Sequence, residues 1–102
     1  MSRAETTWTF LTNHAQVLLC LAADPDIRLR DVAERVGITE RASQRILAEL
    51  VDAGYVHTTR IGRRNRYTVD REHAMRHSAQ LGHEIGTLLE ALGPPAPPDA
   101  HA

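Results

Sequence analysis

The chain is expected to fold as a mainly α domain with one small β-hairpin, and three observations lead there. Apolar residues recur at helical spacing in three successive stretches between residues 12 and 53. Asp24-Pro25-Asp26, Gly37 and Gly54 punctuate those stretches. Two runs of strand composition, residues 55–60 and 66–69, then flank a turn that contains Gly62.

At 102 residues the chain accommodates one domain with a modest core, which a second copy would help to complete. The formal charge of −1 excludes a globally basic polyanion binder. Its distribution is uneven, however. Residues 39–66 hold six Arg against Glu40, Glu49 and Asp52, a net of +3, which leaves −4 for the remainder. Local sign matters more than the total for phosphate binding. All 12 basic residues are Arg. GC-rich coding alone would explain the lack of Lys, so only the positions of the arginines are informative. Cys20 is alone, which fits a reducing cytoplasm. The longest apolar run, residues 17–23, is too short to cross a membrane. No basic start followed by an apolar stretch marks a secretion signal. These features predict a cytoplasmic protein with no membrane partner.

In chain order, residues 1–7 are polar and expected to be flexible. Trp8-Thr9-Phe10-Leu11 is apolar enough to dock in extended form against the body. Thr12 or Asn13 caps a first helix, with Gln16 three residues beyond Asn13 as in a capping box. Its core face is His14, Val17, Leu18, Leu21 and Ala22, which predicts a hydrogen-bonded core or interface role for His14. Ile27-Arg28-Leu29 is a candidate short strand. A brief second helix buries Leu29, Val32, Ala33 and Val36, with Asp31 and Glu34 near its positive end. Its cap position, near Arg28, lacks a capping side chain. Gly37 ends it, and Thr39 caps a third helix that runs to about Ala53 and buries Ser43, Ile46, Leu47 and Leu50.

Residues 55–60 then form a strand, Ile61-Gly62-Arg63-Arg64-Asn65 the turn, and residues 66–69 the returning strand. A hairpin directly behind an amphipathic third helix is the wing of a winged helix-turn-helix, here spanning residues 8–70. Residues 71–92 predict a C-terminal dimerisation helix, its start left open between Asp70 and Ser78. Ser78, Leu81, Ile85, Leu88 and Leu92 alternate steps of three and four, a coiled-coil seam of two heptads. Leu81, Ile85, Leu88 and Leu92 are therefore the candidate dimer interface, with Gly82 and Gly86 allowing close approach. Gly93-Pro94-Pro95-Ala96-Pro97-Pro98 ends the helix, and residues 93–102 predict a disordered Pro-rich tail.

The third helix has a second face, Arg41, Gln44, Arg45 and Ala48, also at i, i+3, i+4, i+7. Arg and Gln make paired hydrogen bonds to base edges, and Ala permits close approach of a helix. Arg63, Arg64 and Arg66 put three like charges in four positions, which repel unless an anion neutralises them. Taken singly, such charges are ordinary on a solvated helix face or a soluble turn. Together, beside a helix-turn-helix, they favour double-stranded DNA.

The chain resembles the winged-helix transcription regulators of prokaryotes, in particular the MarR-like and ArsR-like proteins. The resemblance is carried by Leu11-Thr12-Asn13-His14-Ala15-Gln16-Val17-Leu18-Leu19, Leu29-Arg30-Asp31-Val32-Ala33-Glu34-Arg35-Val36-Gly37-Ile38-Thr39, Ala53-Gly54-Tyr55-Val56 and Gly62-Arg63-Arg64-Asn65-Arg66-Tyr67. It covers roughly residues 8–70. It implies a homodimer on a pseudo-palindromic operator, its recognition helices in major grooves about 34 Å apart. By position, Arg41, Gln44 and Arg45 would face bases, and Thr39 would contact phosphate beside the helix N-terminus. Arg63, Arg64 and Arg66 would be wing contacts in or along the minor groove. Two departures stand out. The chain is shorter than a usual MarR-like protein, so a large effector pocket is not expected. It also lacks the paired cysteines of ArsR-like arsenic sensors, which argues against thiolate metal sensing.

His73 and His77 stand i, i+4, near Asp70, Glu72, His83 and Glu84. A helix starting at Asp70 would let them share a face and hold zinc or nickel. Surface histidines account for the same pattern, and no metal or cofactor is expected. Cys20 lies at the edge of an apolar face with no Arg or His adjacent in sequence, which predicts a structural residue rather than a redox switch. No phosphate-cradling glycine loop or nucleophile–base–acid arrangement supports an enzyme. The sequence therefore predicts a homodimeric, sequence-specific DNA-binding regulator, a repressor whose effector is unspecified. The competing expectation is a winged-helix module that binds protein instead of DNA.

Overall fold

Two threonines set the frame of the fold by capping the helices that follow them. In the computed structural model, which describes residues 8–93, α1 spans Asn13–Ala23 and Thr12 Oγ1 accepts the Ala15 N–H at 3.1 Å. Thr12, not Asn13, is thus the cap. Helix α3 spans Glu40–Asp52, and Thr39 Oγ1 accepts the Ala42 N–H at 3.0 Å. Helix α2, Leu29–Val36, has no side-chain cap at Arg28 but ends firmly at Gly37. A φ of 87° there lets the N–H groups of Gly37 and Ile38 both reach the Ala33 carbonyl. The expected terminal segments 1–7 and 94–102 lie outside the described residues.

The three helices close on Val17, Leu18, Leu21, Val32, Ile46 and Leu50, all buried. Ser43 is fully buried among them, and its hydroxyl donates to the Glu40 carbonyl at 2.7 Å. A small, satisfied polar residue at that position lets α2 and α3 pack closely without leaving an orphaned group.

Strands β1 (Val56–Ile61) and β2 (Arg64–Val69) pair antiparallel in a register running from Val56↔Val69 to Ile61↔Arg64. The turn is tighter than the five residues expected, because only Gly62 and Arg63 remain unpaired. Gly62 has a φ of 61°, and a positive φ at the first loop position suits the right-handed twist of a two-residue hairpin. Val56 and Tyr67 anchor the hairpin in the core.

Three expectations are corrected. Ile27-Arg28-Leu29 forms no strand; the described residues contain only the two-stranded sheet. Pro25 has no N–H to extend a ladder, so its loop meets the hairpin through one backbone–backbone bond, Tyr67 N–H to Pro25 O at 2.9 Å. Trp8 and Phe10 do not dock, being 64% and 92% exposed, and instead meet edge-to-face at 5.0 Å. The C-terminal helix α4 spans only Ile85–Leu92, starting at neither Asp70 nor Ser78. A short 3₁₀ turn, Ser78–Gln80, precedes it, and Gly82 at φ 89° prevents continuation into a longer helix. Ser78 and Leu81 thus lie outside α4, and the two-heptad seam is not one continuous helix.

Tertiary bonds tie the segment after β2 to the rest. Ile85 N–H reaches His73 O at 2.8 Å, Gly86 N–H reaches Arg71 O at 2.8 Å, and Met75 N–H reaches His83 O at 3.0 Å. Ile85 and Leu89 then complete the core against α1. Among the described residues no helix is long and apolar enough to cross a membrane.

Candidate nucleic-acid interface

Burying Ser43, Ile46 and Leu50 forces the opposite side of α3 outward, so Arg41, Gln44, Arg45 and Ala48 are all exposed. Arg41 and Gln44 have no side-chain hydrogen bond or ion pair among the described residues. Their donors are free. Arg45 lies 3.7 Å from Glu49 across one helical turn, an exposed pair of small energetic consequence. Glu49 also meets His14 Nε2 at 2.6 Å, so His14 is an exposed tie between α1 and α3 rather than a core residue. That hydrogen bond, with Arg45 adding attraction, holds the Glu49 carboxyl below its ordinary range. Thr39 uses its oxygen to cap α3, which leaves its hydroxyl proton able to point at a phosphate.

The wing arginines differ from one another. Arg63, in the exposed turn, makes no ion pair among the described residues. Arg64 Nη2 donates to the Asp26 carbonyl at 2.6 Å. Arg66 forks onto the Asp26 carboxylate, with Nε to Oδ1 at 3.1 Å and Nη2 to Oδ2 at 3.3 Å. Part of the anion that this cluster requires is therefore supplied from within the chain.

A groove of about 410 Å³ separates α3 from the wing. Gln44 lines one side and Arg63, Arg64 and Asn65 the other, with Arg28 at the base of α2 completing it. Arg28 is the functional candidate that sequence reasoning missed. Local sequence carried no signal for it: a guanidinium has no acceptor with which to cap α2, and only the packing of the wing brings the groove to Arg28. Glu40 shares the groove, so the basic character is confined to the wing side and Arg28.

The remaining candidates are distributed differently. Ile85 is buried in the protomer's own core, Leu88 is half-buried against it, and Leu81 and Leu92 are 85% and 53% exposed. His73 stacks on Tyr55 at 4.3 Å and its Nε2 meets the Ala53 carbonyl at 2.8 Å, while His77 Nδ1 accepts the Ala79 N–H at 3.0 Å. Both rings thus serve backbone positions. Among the described residues no three His, Cys, Asp or Glu side chains converge on a point. Cys20 is half-buried, and burial raises its thiol pKa more than nearby Arg35 lowers it. A cleft of about 220 Å³ lies between α1, α3 and the segment before α4, lined by Leu18, Tyr55, Met75 and Ile85 with His14 and Arg76.

Comparison with known proteins agrees with this geometry. Residues 12–57 match the family model for winged helix-turn-helix DNA-binding domains. No curated protein matches by sequence. Among solved structures, the chain is similar to the zinc-dependent MarR-family transcriptional regulator AdcR in its Zn(II)-bound state, at 22% identity and a TM-score of 0.46 over 63% of this chain and 46% of that one. It is also similar to the transcriptional regulator PcaV from Streptomyces coelicolor in complex with its natural ligand. There the identity is 27% and the TM-score 0.54, over 95% of this chain and 67% of that one. The chain thus spans less than half the length of the first relative and about two thirds of the second. Residues 12–57 are thus similar to winged helix-turn-helix DNA-binding domains, and both of these structural neighbours are transcriptional regulators.

Proposed function

We propose that the protein is a homodimeric, sequence-specific transcription regulator that acts in the cytoplasm as a repressor, occupying a pseudo-palindromic operator in double-stranded DNA. One observation carries this reading: Gln44 of the exposed α3 face and the wing residues Arg63 and Arg64 border a single groove that Arg28 completes. In this arrangement Arg41, Gln44 and Arg45 read bases from the first two turns of α3. Thr39, Arg63 and Arg64 contact phosphate and fix the register. Arg66 reaches the duplex only if a phosphate displaces Asp26.

Duplex binding followed across a salt series tests the proposal. Affinity falls steeply with salt when phosphate contacts dominate, and Arg63→Ala flattens the log–log slope by about 0.9. Salt-insensitive binding, or none at low salt, would overturn the regulator reading in favour of a protein-binding module. Selection of bound genomic fragments then gives the operator. Dimerisation is supported by α4, where Leu92 is exposed and Leu88 half-buried, and by the exposure of Leu81 in the segment before it. Leu92→Glu places a charge on that apolar surface and is expected to yield monomers in sedimentation, with weaker operator binding. An unchanged dimer would move the interface elsewhere.

A further inference from the structure

We infer that Asp26 is a positioning residue for the wing, and that Arg66 is its partner rather than a contact to DNA. The inference rests on the DNA-binding reading above and divides the three wing arginines into two kinds. Asp26 sits in the loop between α1 and α2, forty positions from Arg66, yet three bonds converge there. Its carboxylate takes the Arg66 guanidinium through two nitrogens at 3.1 and 3.3 Å. Its carbonyl takes Arg64 Nη2 at 2.6 Å, and the neighbouring Pro25 carbonyl takes the Tyr67 N–H at 2.9 Å. Tyr67 is itself buried, so β2 is fastened to this loop by the side chains of Arg64 and Arg66, which share one face of the strand, and by the backbone of Tyr67.

A single exposed ion pair contributes little stability, and Arg66 and Asp26 are each about half exposed. Direction is a different matter. A forked guanidinium–carboxylate pair fixes the plane and angle of both groups. Combined with a backbone bond one residue away, it sets the tilt of the hairpin against the helices. That tilt decides where Arg63, at the tip, meets the duplex. The cost is one cation: with Arg66 neutralised by Asp26, the wing offers the charge of Arg63 and Arg64 only. Arg64 keeps its charge because its partner is a carbonyl.

The experiment is a comparison of salt slopes for duplex binding by the full chain. Arg63→Ala and Arg64→Ala each flatten the slope by about 0.9, whereas Arg66→Ala leaves the slope unchanged while weakening affinity. Asp26→Asn frees Arg66 and steepens the slope by about 0.9, and adding Arg66→Ala to Asp26→Asn returns the slope to that of the wild type. An Arg66→Ala slope as flat as that of Arg63→Ala would overturn the inference. A second readout needs no DNA. Amide exchange at Tyr67 is expected to quicken in both Asp26→Asn and Arg66→Ala, and unchanged exchange would show that the pair does not hold the wing. If the wild type fails to bind duplex while Tyr67 exchange responds, the DNA-binding reading fails and the strut survives as a structural feature without the DNA role proposed for it.

Discussion

The helical unit with its wing, residues 12–69, and the segment behind it, residues 70–93, reach order by different routes. In the first, local signals agree with the tertiary result: a threonine starts α1 and another starts α3, Gly37 ends α2, and each helix turns an apolar stripe inward. In the second, α4 is as short as α2 but has neither a side-chain cap at its start nor a left-handed glycine at its end. Its order comes from docking. Ile85 and Leu89 enter the core, Tyr55 donates its hydroxyl to the Ala74 carbonyl at 2.6 Å, and the His73 ring lies against Tyr55. The burial that accompanies these contacts pushes the Tyr55 phenol up. The proposed reading surface is thus built on the self-sufficient part, and the borrowed order falls where a second copy is proposed to bind.

The difference can be broken in graded ways. Ile46→Ala opens a cavity at a fully buried site shared by α1, α2 and α3 and is expected to cost about 2–5 kcal/mol. Denaturant unfolding should show both regions melting together, since the second depends on the first. Gly54→Ala strikes the junction. Gly54 holds a φ of 90°, and an added Cβ would lie 2.9 Å from His73 Nε2. A cost of about 1–3 kcal/mol is expected. Amide exchange should quicken at Ile85 and Gly86 while the α2–α3 amides stay protected; equal loss in both would erase the distinction between the regions.

The smallest effect concerns the surface tie between α1 and α3. Because the Glu49 carboxyl is depressed in the folded protein, its contribution is complete above the unfolded carboxylate pKa of about 4.3 and is lost as pH falls through the lower folded value. Glu49→Gln should therefore be slightly less stable than wild type at neutral pH, with the two curves converging in acid. Curves that stay parallel throughout would assign His14–Glu49 no role in holding the helices together.

Legibility follows the same division. The exposed face of α3 was evident from spacing, because a helix with one buried stripe must expose the opposite one. The wing was evident from strand composition around Gly62, although pairing drew its turn in to two residues. Arg66 shows where such reasoning stops. As a residue among arginines it resembled its neighbours, and its partner Asp26 lies in a loop whose approach no local pattern reveals. The heptad spacing of Leu81, Ile85, Leu88 and Leu92 misled for a related reason. It records periodicity but not whether the backbone between those residues is helical, and the positive φ of Gly82 interrupts it.

By itself, then, the amino-acid sequence determined the three helices, the hairpin and the exposed arginine–glutamine face, because capping, periodicity and turn chemistry act within a few residues. Only the tertiary structure decided which arginines are free, where α4 begins, and that Arg28 joins the groove. Those outcomes depend on groups brought together from forty positions apart, as Asp26 and Arg66 are. Contact at that range is set by how the core packs, which no short stretch of sequence contains.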